Sequence, residues 1–305
     1  MNKYSITIIS IIIMAALFAG CEKKAMDDKK EGKKETPKLK VFSSDKPENF
    51  TAEMLFSMKR ISDPQISPDA KHVLFTMKEP VIEDNMFHTN IYLVSTDGGD
   101  MKKLTSDDSK DYNAVWSPDG KMIAFISNLS DETPQAFTMT LKGDILKQIT
   151  NMENGVSNLA WSPDGKYISF TSEVKMEPSL TEMYPDYPEA EIRIYDKLPV
   201  RHWSEWTDNK FSHLFIISAN GGDAKDLTEG EKFDTPMKPF GGKEQIEWSP
   251  DSKMIAYTSK KYSGLDFVKN TDSDIYLVNI ETNETENITE GMDGFDMDPA
   301  FSPRS

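Results

Sequence analysis

Trp116-Ser-Pro-Asp-Gly-Lys121 decides the fold of this chain, because close copies of the phrase recur along it. The serines of the five copies are Ser67, Ser117, Ser162, Ser249 and Ser302, with separations of 50, 45, 87 and 53 residues. A period of about 40–50 residues with strand-like content is typical of a four-stranded propeller blade. We therefore predict an all-β fold, a partial β-propeller with about four to five blades.

The first turn of each repeat is predicted from its residue types. Pro118 fixes its own φ, Asp119 can accept hydrogen bonds from amides of the turn, and Gly120 tolerates positive φ. Trp116 precedes the turn and is predicted to pack between neighbouring blades.

Each repeat also has a second half, in which short strands rich in isoleucine, valine and aromatic residues flank a turn. Asn90–Thr105 is one example, with its turn at Asp97-Gly-Gly99. This pattern indicates a second hairpin in each blade. The 87-residue interval could hold two blades, but it contains only one such pair of halves. We interpret it as one blade that carries an insertion at about residues 173–211.

The N-terminus resembles an export signal. Lys3 precedes the mostly apolar stretch Ile6–Phe18, and Leu17-Phe-Ala-Gly-Cys21 ends it with small residues before the only cysteine. This pattern predicts a lipoprotein signal over 1–21, with lipidation at Cys21 and a lipid-anchored protein of the bacterial cell envelope. A plain signal peptide or an uncleaved anchor is the alternative.

A charged tether is predicted over 22–48, followed by the propeller over 49–305. Phe50–Lys59 is a candidate helix with Thr51 as its N-cap, and we expect it to lie against the first blade. The formal charge of −16 argues against nucleic acid or an anionic membrane surface as the main partner. Membrane contact is therefore expected only through the N-terminal lipid.

The repeats resemble the TolB-type propeller repeat over about residues 60–305. Two stretches are similar to a narrower group, the acylaminoacyl-peptidase and dipeptidyl-peptidase 5 branch of the prolyl oligopeptidase (S9) family. They are Phe50–Phe75, which includes Lys59-Arg-Ile-Ser-Asp-Pro64, and Tyr195–Trp206 with the following Lys210–Phe215.

The S9 resemblance implies a propeller that caps an α/β-hydrolase domain with a Ser-Asp-His triad and restricts access to peptides. In dipeptidyl members, acidic propeller residues hold the free α-ammonium of the substrate. Peptides and a hydrolase domain are therefore the expected partners, and no cofactor is expected.

The sequence departs from the family pattern at the catalytic residues. It contains no Gly-x-Ser-x-Gly, the nearest string being Gly155-Val-Ser-Asn-Leu159, and its four histidines all lie among the propeller repeats. We assign no catalytic residue and expect no activity from these 305 residues alone. The fifth repeat stops at Phe301–Ser305, so we expect a fragment or a prematurely ended reading frame.

The insertion holds the candidate substrate-binding residues. Our hypothesis is that Glu205 pairs with a peptide N-terminus beside an aromatic wall, and the candidates are Glu205, Arg201, Trp203, Trp206 and Asp186. The alternative is that Arg201, Trp203 and Trp206 only fasten the insertion to the blades by cation–π and packing contacts.

Two acidic runs, Asn270–Asp274 and Asp293–Asp298, alternate carboxylates as calcium loops do, but both lack the twelve-residue loop and its final Glu. We interpret them as loop acids and predict no metal site.

Three functions remain open at this point. The chain is the substrate-gating part of an exported S9 peptidase, a stand-alone TolB-like propeller lipoprotein that binds a periplasmic protein, or the non-functional remnant of a broken gene.

Overall fold

The computed structural model describes residues 50–303, apart from 131, 190–192, 196–197, 199–200 and 207–208 and the side chain of Glu205. These residues belong to one compact unit. The predicted signal sequence, Cys21 and the charged tether over 22–48 lie outside the described residues.

Four antiparallel four-stranded sheets, which we call blades 1 to 4, make up the described part of the chain. Blade 1 contains β1 (Arg60–Ile66), β2 (His72–Val81), β3 (Met86–Ser95) and β4 (Lys102–Lys103). Blade 2 contains β5 (Asp111–Trp116), β6 (Met122–Ser127), β7 (Gln135–Thr140) and β8 (Ile145–Gln148). The predicted all-β propeller with four-stranded blades is confirmed.

Blade 3 spans the long interval. It contains β9 (Ser157–Trp161), β10 (Tyr167–Lys175), β13 (Lys210–Ser218) and β14 (Lys225–Asp226), and a small hairpin, β11 (Arg201–His202) with β12 (Glu205–Trp206), lies between its middle strands. One sheet with an insertion is therefore the correct interpretation of the interval. The insertion runs over 176–209 rather than 173–211, because β10 and β13 stay paired as far as Lys175 and Lys210.

Blade 4 contains β15 (Ile246–Trp248), β16 (Met254–Ser259), β17 (Asp274–Asn279) and β18 (Thr285–Asn287). The short helices are α1 (Ala52–Ser57), α2 (Leu180–Met183) and α3 (Gly264–Lys269), with a 3-10 turn at Lys243–Gln245.

The predicted N-terminal helix is present as α1. The Oγ1 of Thr51 accepts a hydrogen bond from the Met54 amide at 3.3 Å, which confirms Thr51 as the N-cap. The helix lies beside β2, but none of its residues is buried.

The Ser-Pro-Asp turns are stabilised by their own side chains. In all four copies the serine hydroxyl donates to the aspartate Oδ1 at 2.7–2.8 Å. That aspartate oxygen accepts the amide of the following lysine at 3.0–3.1 Å, which confirms the predicted role of Asp119. Gly120 has φ +69, and Ser252 holds the same left-handed conformation at φ +62. The Oγ of Ser252 accepts the Asp164 amide at 3.0 Å and so joins blade 4 to blade 3.

Most of the apolar core lies between the blades, in one cluster for each neighbouring pair, and a smaller fourth cluster lies within blade 1. Each of the three clusters between blades contains one tryptophan from a repeat motif, and these are Trp116, Trp161 and Trp248. The predicted packing of Trp116 between blades is therefore confirmed. Blades 2 and 3 each pack on one neighbour with one face of their sheet and on another neighbour with the other face. Their apolar side chains are therefore buried only when adjacent blades stack.

The three buried indoles differ in their hydrogen bonds. The Nε1 of Trp116 donates to the Gln65 carbonyl at 3.3 Å, and that of Trp248 donates to the Ser169 hydroxyl at 2.9 Å. The Nε1 of Trp161 is buried and has no partner among the described residues. In the repeat alignment, blade 2 has Ala124 where blade 3 has Ser169, so the acceptor is missing.

We expect Ala124→Ser to raise the free energy of unfolding by about 1 kcal/mol, because it supplies an acceptor for a buried donor. Urea denaturation measures the change. Ala256→Ser is the matched control, because Ala256 occupies the same position in blade 4 and the next motif has Phe301 instead of tryptophan. That control should lose stability, and a gain in both variants would contradict the explanation.

Blade 1 and the connection before blade 4 meet at one ion pair. The Nζ of Lys243 lies 2.6 Å from Oδ1 of Asp63, and both side chains are partly exposed. Asp63 lies in β1 and Lys243 lies in the connection between blades 3 and 4, so the pair joins parts of the row of blades that are far apart in the chain.

Candidate functional site

The insertion lies on a defined face of the propeller. Each blade has four antiparallel strands, so the chain leaves a blade on the same face at which it enters. The insertion joins the second and third strands of blade 3 and therefore lies on this face, together with the connections 104–110, 149–156 and 227–245. We call it the connection face, and the Ser-Pro-Asp turns lie on the opposite face.

The hairpin β11–β12 brings three predicted site residues together. Arg201 pairs with Trp206 across the hairpin, and its guanidinium lies 4.9 Å from the Trp206 ring centroid. Trp206 also stacks on Tyr195 at 6.0 Å and lies 5.3 Å from the guanidinium of Arg193. These contacts join the two strands of the hairpin to each other and to the preceding residues Arg193 and Tyr195 of the insertion.

Trp203 lies at the tip of the hairpin in a left-handed conformation with φ +47. This conformation is unfavourable for a bulky residue, and strained backbone is concentrated at functional sites. The Trp203 side chain is nevertheless 76% exposed. Its indole is thus held outward at a cost in backbone energy.

An aromatic triad forms where the hairpin meets the connection 227–245. Phe240 is 75% exposed, and its ring lies edge-on to Trp203 at 5.6 Å. His202 completes the triad, at 4.7 Å from Trp203 and 6.1 Å from Phe240. Edge-to-face contacts of this kind are favourable and leave ring faces open to a ligand.

The glycine after Phe240 is required by close packing. A Cβ on Gly241 would lie 2.5 Å from the carbonyl oxygen and 2.8 Å from the nitrogen of Met237. The Gly241 amide also donates to that carbonyl at 2.7 Å. The backbone that presents Phe240 is therefore tightly folded.

Ion pairs anchor the base of the insertion to the same connection. Lys238 lies 2.8 Å from Glu173 and 3.3 Å from Asp234, and Lys232 lies 2.9 Å from Glu177. Burial alone would lower the pKa of Lys238, but the charges of Asp234 and Glu173 outweigh it and raise the pKa. The insertion and the connection 227–245 thus contact each other at base and tip.

The predicted site residues have different outcomes. Arg201, Trp203 and Trp206 lie on one hairpin, and the described ring and guanidinium contacts of Arg201 and Trp206 lie within the insertion rather than with the blades, so both their substrate-binding role and the fastening alternative stay predictions. Asp186 is exposed in an earlier part of the insertion. The side chain of Glu205 lies outside what the structure describes, so its proposed role stays a prediction. Phe240 was missed, although Pro239-Phe-Gly-Gly242 marks an exposed turn.

The buried histidine of blade 3 cannot serve as a catalytic base. His213 is fully buried, with Nδ1 2.7 Å from Oδ2 of Asp226 and Nε2 2.8 Å from the Glu231 carbonyl. A catalytic imidazole needs one nitrogen facing a nucleophile, and here both face acceptors. Burial alone would lower its pKa, but the hydrogen bond and charge of Asp226, with the Glu231 carbonyl, raise it.

Among the described residues, no group of three or more His, Cys, Asp or Glu side chains is placed to hold a metal ion. No helix in the described part of the chain is long and apolar enough to cross a membrane.

Comparison with known proteins supports the repeat analysis. The TolB beta propeller domain family matches residues 40–192, about half of the chain. The chain belongs to this family. The TolB-type propeller is 37% identical over 259 residues to dipeptidyl-peptidase 5 of Porphyromonas gingivalis, covering 84% of the chain and 38% of that protein. It is 36% identical over 257 residues to dipeptidyl-peptidase 5 of Porphyromonas endodontalis, covering 83% and 37%.

A solved structure shows the same fold. Acylaminoacyl peptidase of Pyrococcus horikoshii superposes with a TM-score of 0.55 at 18% identity, over 77% of this chain and 33% of that one. These relatives confirm the predicted resemblance of the TolB-type propeller to the propeller part of S9 peptidases. The chain spans less than two fifths of the length of the two dipeptidyl-peptidases.

Proposed function

We propose that this propeller is the substrate-gating portion of an exported S9 serine peptidase, of the dipeptidyl- or acylaminoacyl-peptidase type, that acts on peptides. One observation carries the proposal: the insertion and the connection 227–245 present two largely exposed aromatic rings, Trp203 and Phe240, on the connection face. The reaction class is proposed from the relatives at 36–37% identity, which are dipeptidyl-peptidases.

The topology indicates why this face matters. Because the chain enters and leaves every blade on the connection face, a hydrolase domain joined to either end of the propeller would begin there. The aromatic triad would then face the space between the two domains. Exposed rings fixed by a tight backbone contact apolar side chains of a peptide with little loss of conformational entropy.

Two parts of the proposal rest on sequence alone. Glu205 lies on the same hairpin, and we assign it the role of pairing with the α-ammonium of the peptide. Export and lipid anchoring to the cell envelope rest on the apolar N-terminus and Cys21.

Trp203→Ala in the longer enzyme tests the proposal. We expect the KM for dipeptidyl-naphthylamides to rise roughly tenfold with little change in kcat, because about 1.4 kcal/mol of uniform substrate binding is lost. Leu146→Ala is the control, since Leu146 is also exposed but lies on the outer strand of blade 2. Equal KM for wild type and Trp203→Ala would remove the triad from substrate binding.

The alternative, a stand-alone TolB-like lipoprotein, can be distinguished from the gating proposal by the behaviour of the chain without a hydrolase domain. A TolB-like binding lipoprotein predicts that purified 22–305 captures a periplasmic protein at micromolar concentration. The gating proposal predicts neither such capture nor any turnover of a dipeptidyl-naphthylamide by 22–305. Turnover by that polypeptide would contradict the gating proposal directly.

A further inference from the structure

In blades 1, 2 and 3, a lysine on the outer strand binds the outer turn of the next blade. Lys102 of blade 1 donates to the carbonyls of Leu141 and Lys142 in blade 2, at 3.2 and 3.0 Å. Lys147 of blade 2 donates to the Asn220 carbonyl in blade 3 at 2.5 Å. The same contact therefore occurs at two successive blade interfaces.

The third interface repeats it. Lys225 of blade 3 donates to the carbonyls of Ile280 and Glu281 in blade 4, at 2.6 and 3.0 Å. Every acceptor is the first or second residue after the third strand of its blade. A protonated amine that donates to one or two carbonyl oxygens makes a charge-assisted hydrogen bond. We call this contact the lysine clamp, and it favours one orientation of the next blade relative to the blade that carries the lysine.

Blade 4 breaks the pattern. Each clamp lysine stands two residues before the isoleucine or leucine that follows its strand, and in blade 4 that position is Glu286, before Ile288. A second acid, the exposed Glu247, occupies the position of Val115 and Ala160, which pack towards the following blade. We call the side of blade 4 that is directed away from blade 3 its outgoing face. This face has two acids, Glu247 and Glu286, at positions where the corresponding faces of blades 2 and 3 have an apolar residue and a lysine.

The outer turn of blade 1 does not complement this face. Its first two residues are Thr96 and Asp97, both exposed, and no lysine clamp reaches their carbonyls within the described residues. Asp100 adds another carboxylate to the same turn. If Glu286 lay against this turn, its carboxylate would face carbonyl oxygens that also only accept hydrogen bonds. It would also lie near the carboxylates of Asp97 and Asp100, and both arrangements are unfavourable.

We propose that the outgoing face of blade 4 binds a further blade whose outer turn presents a lysine or arginine side chain, and that Glu286 receives it. Charge complementarity and continuity with the three clamped interfaces support this partner. The same acid rejects blade 1, whether of this chain or of a second copy. Glu286 thus acts as a selectivity device for the order in which blades stack.

A charge-swap experiment on the full chain tests the proposal. Asp97→Lys places a lysine at the second turn position of blade 1, so a second copy becomes a partner with the required chemistry. Sedimentation at low salt should show the wild type monomeric at about 100 µM and Asp97→Lys associating at least tenfold more tightly. The double variant Asp97→Lys with Glu286→Lys should return to the monomer.

Asp108→Lys is the matched control, with the same change of charge at an exposed residue on the connection face. It should behave as the wild type does. Two results would overturn the proposal: no association of Asp97→Lys, or equal association of the single and double variants. Unchanged circular dichroism shows that each variant folds.

Discussion

Asp226→Ala should lower the free energy of unfolding by about 3 kcal/mol near pH 6, because it leaves a buried imidazolium without its counter-charge. His213 has no exposed surface, and both of its partners, the Asp226 carboxylate and the Glu231 carbonyl, can only accept hydrogen bonds. Only the doubly protonated ring satisfies both. Asp226 also accepts the Thr228 amide at 2.9 Å, so its loss frees a second donor.

The same pair sets a pH dependence with a definite sign. Since the folded pKa of His213 is raised, its contribution to stability is fully present below the unfolded pKa of about 6.5. The contribution is then lost as pH rises through the folded pKa. Urea unfolding of the wild type should therefore show stability falling from pH 6 into the alkaline range through this group.

Asp226→Asn separates charge from shape. Its oxygen can still accept the Thr228 amide, and its amide can donate to a neutral ring whose Nε2 still donates to Glu231. We expect Asp226→Asn to cost less than Asp226→Ala and to abolish the loss of stability with rising pH that is due to His213, because the neutral ring becomes the satisfied form and stability through this group then falls as pH falls. Asp223→Ala, exposed in the preceding turn, is the control and should stay within about 0.5 kcal/mol of wild type. Retention of the full pH dependence in Asp226→Asn would contradict the assignment.

Trp248→Ala should destabilise the propeller by about 3–5 kcal/mol, because it opens a cavity in the cluster between blades 3 and 4. Trp248 is buried among residues of both blades, and its indole donates to the buried Ser169 hydroxyl. The substitution therefore removes apolar contacts and also leaves Ser169 without a donor. The midpoint of urea unfolding measures the effect.

Trp203→Ala is the control for this substitution, since it makes the same chemical change at an exposed tryptophan. It should alter stability by no more than about 0.5 kcal/mol. The two variants should thus differ in what they lose: Trp248→Ala should lower the free energy of unfolding, and Trp203→Ala should lower substrate affinity. A large stability loss in Trp203→Ala would show that the hairpin is a structural element of the blade.

Fold prediction succeeded where the determinants are local in the sequence. The Ser-Pro-Asp turns hydrogen-bond within about five residues, so the motif alone predicts their geometry. Trp116 was placed between blades because a large ring beside a turn must bury its surface against a neighbour. The insertion bounds were less accurate, since β10 and β13 extend into a stretch without alternating apolar residues.

Contacts between distant residues could not be predicted in the same way. Lys102, Lys147 and Lys225 look like ordinary surface residues until the stacking of blades places turn carbonyls beside them. Phe240 lies about 37 residues from Trp203, and nothing local connects them. The sequence therefore predicted the candidate site as an insertion with aromatic and charged residues, without the hairpin that presents them and without Phe240.

The ion pair between Asp63 and Lys243 has a mechanical consequence. Neighbouring blades are joined by apolar clusters and lysine clamps, whereas this partly exposed pair, worth about 1 kcal/mol or less, joins blade 1 to the connection 227–245. We therefore expect the contact between blade 1 and the connection 227–245 to be weaker than the contacts between neighbouring blades. Because salt screens partly exposed charges, we expect this contact to weaken as ionic strength rises while the blades stay folded.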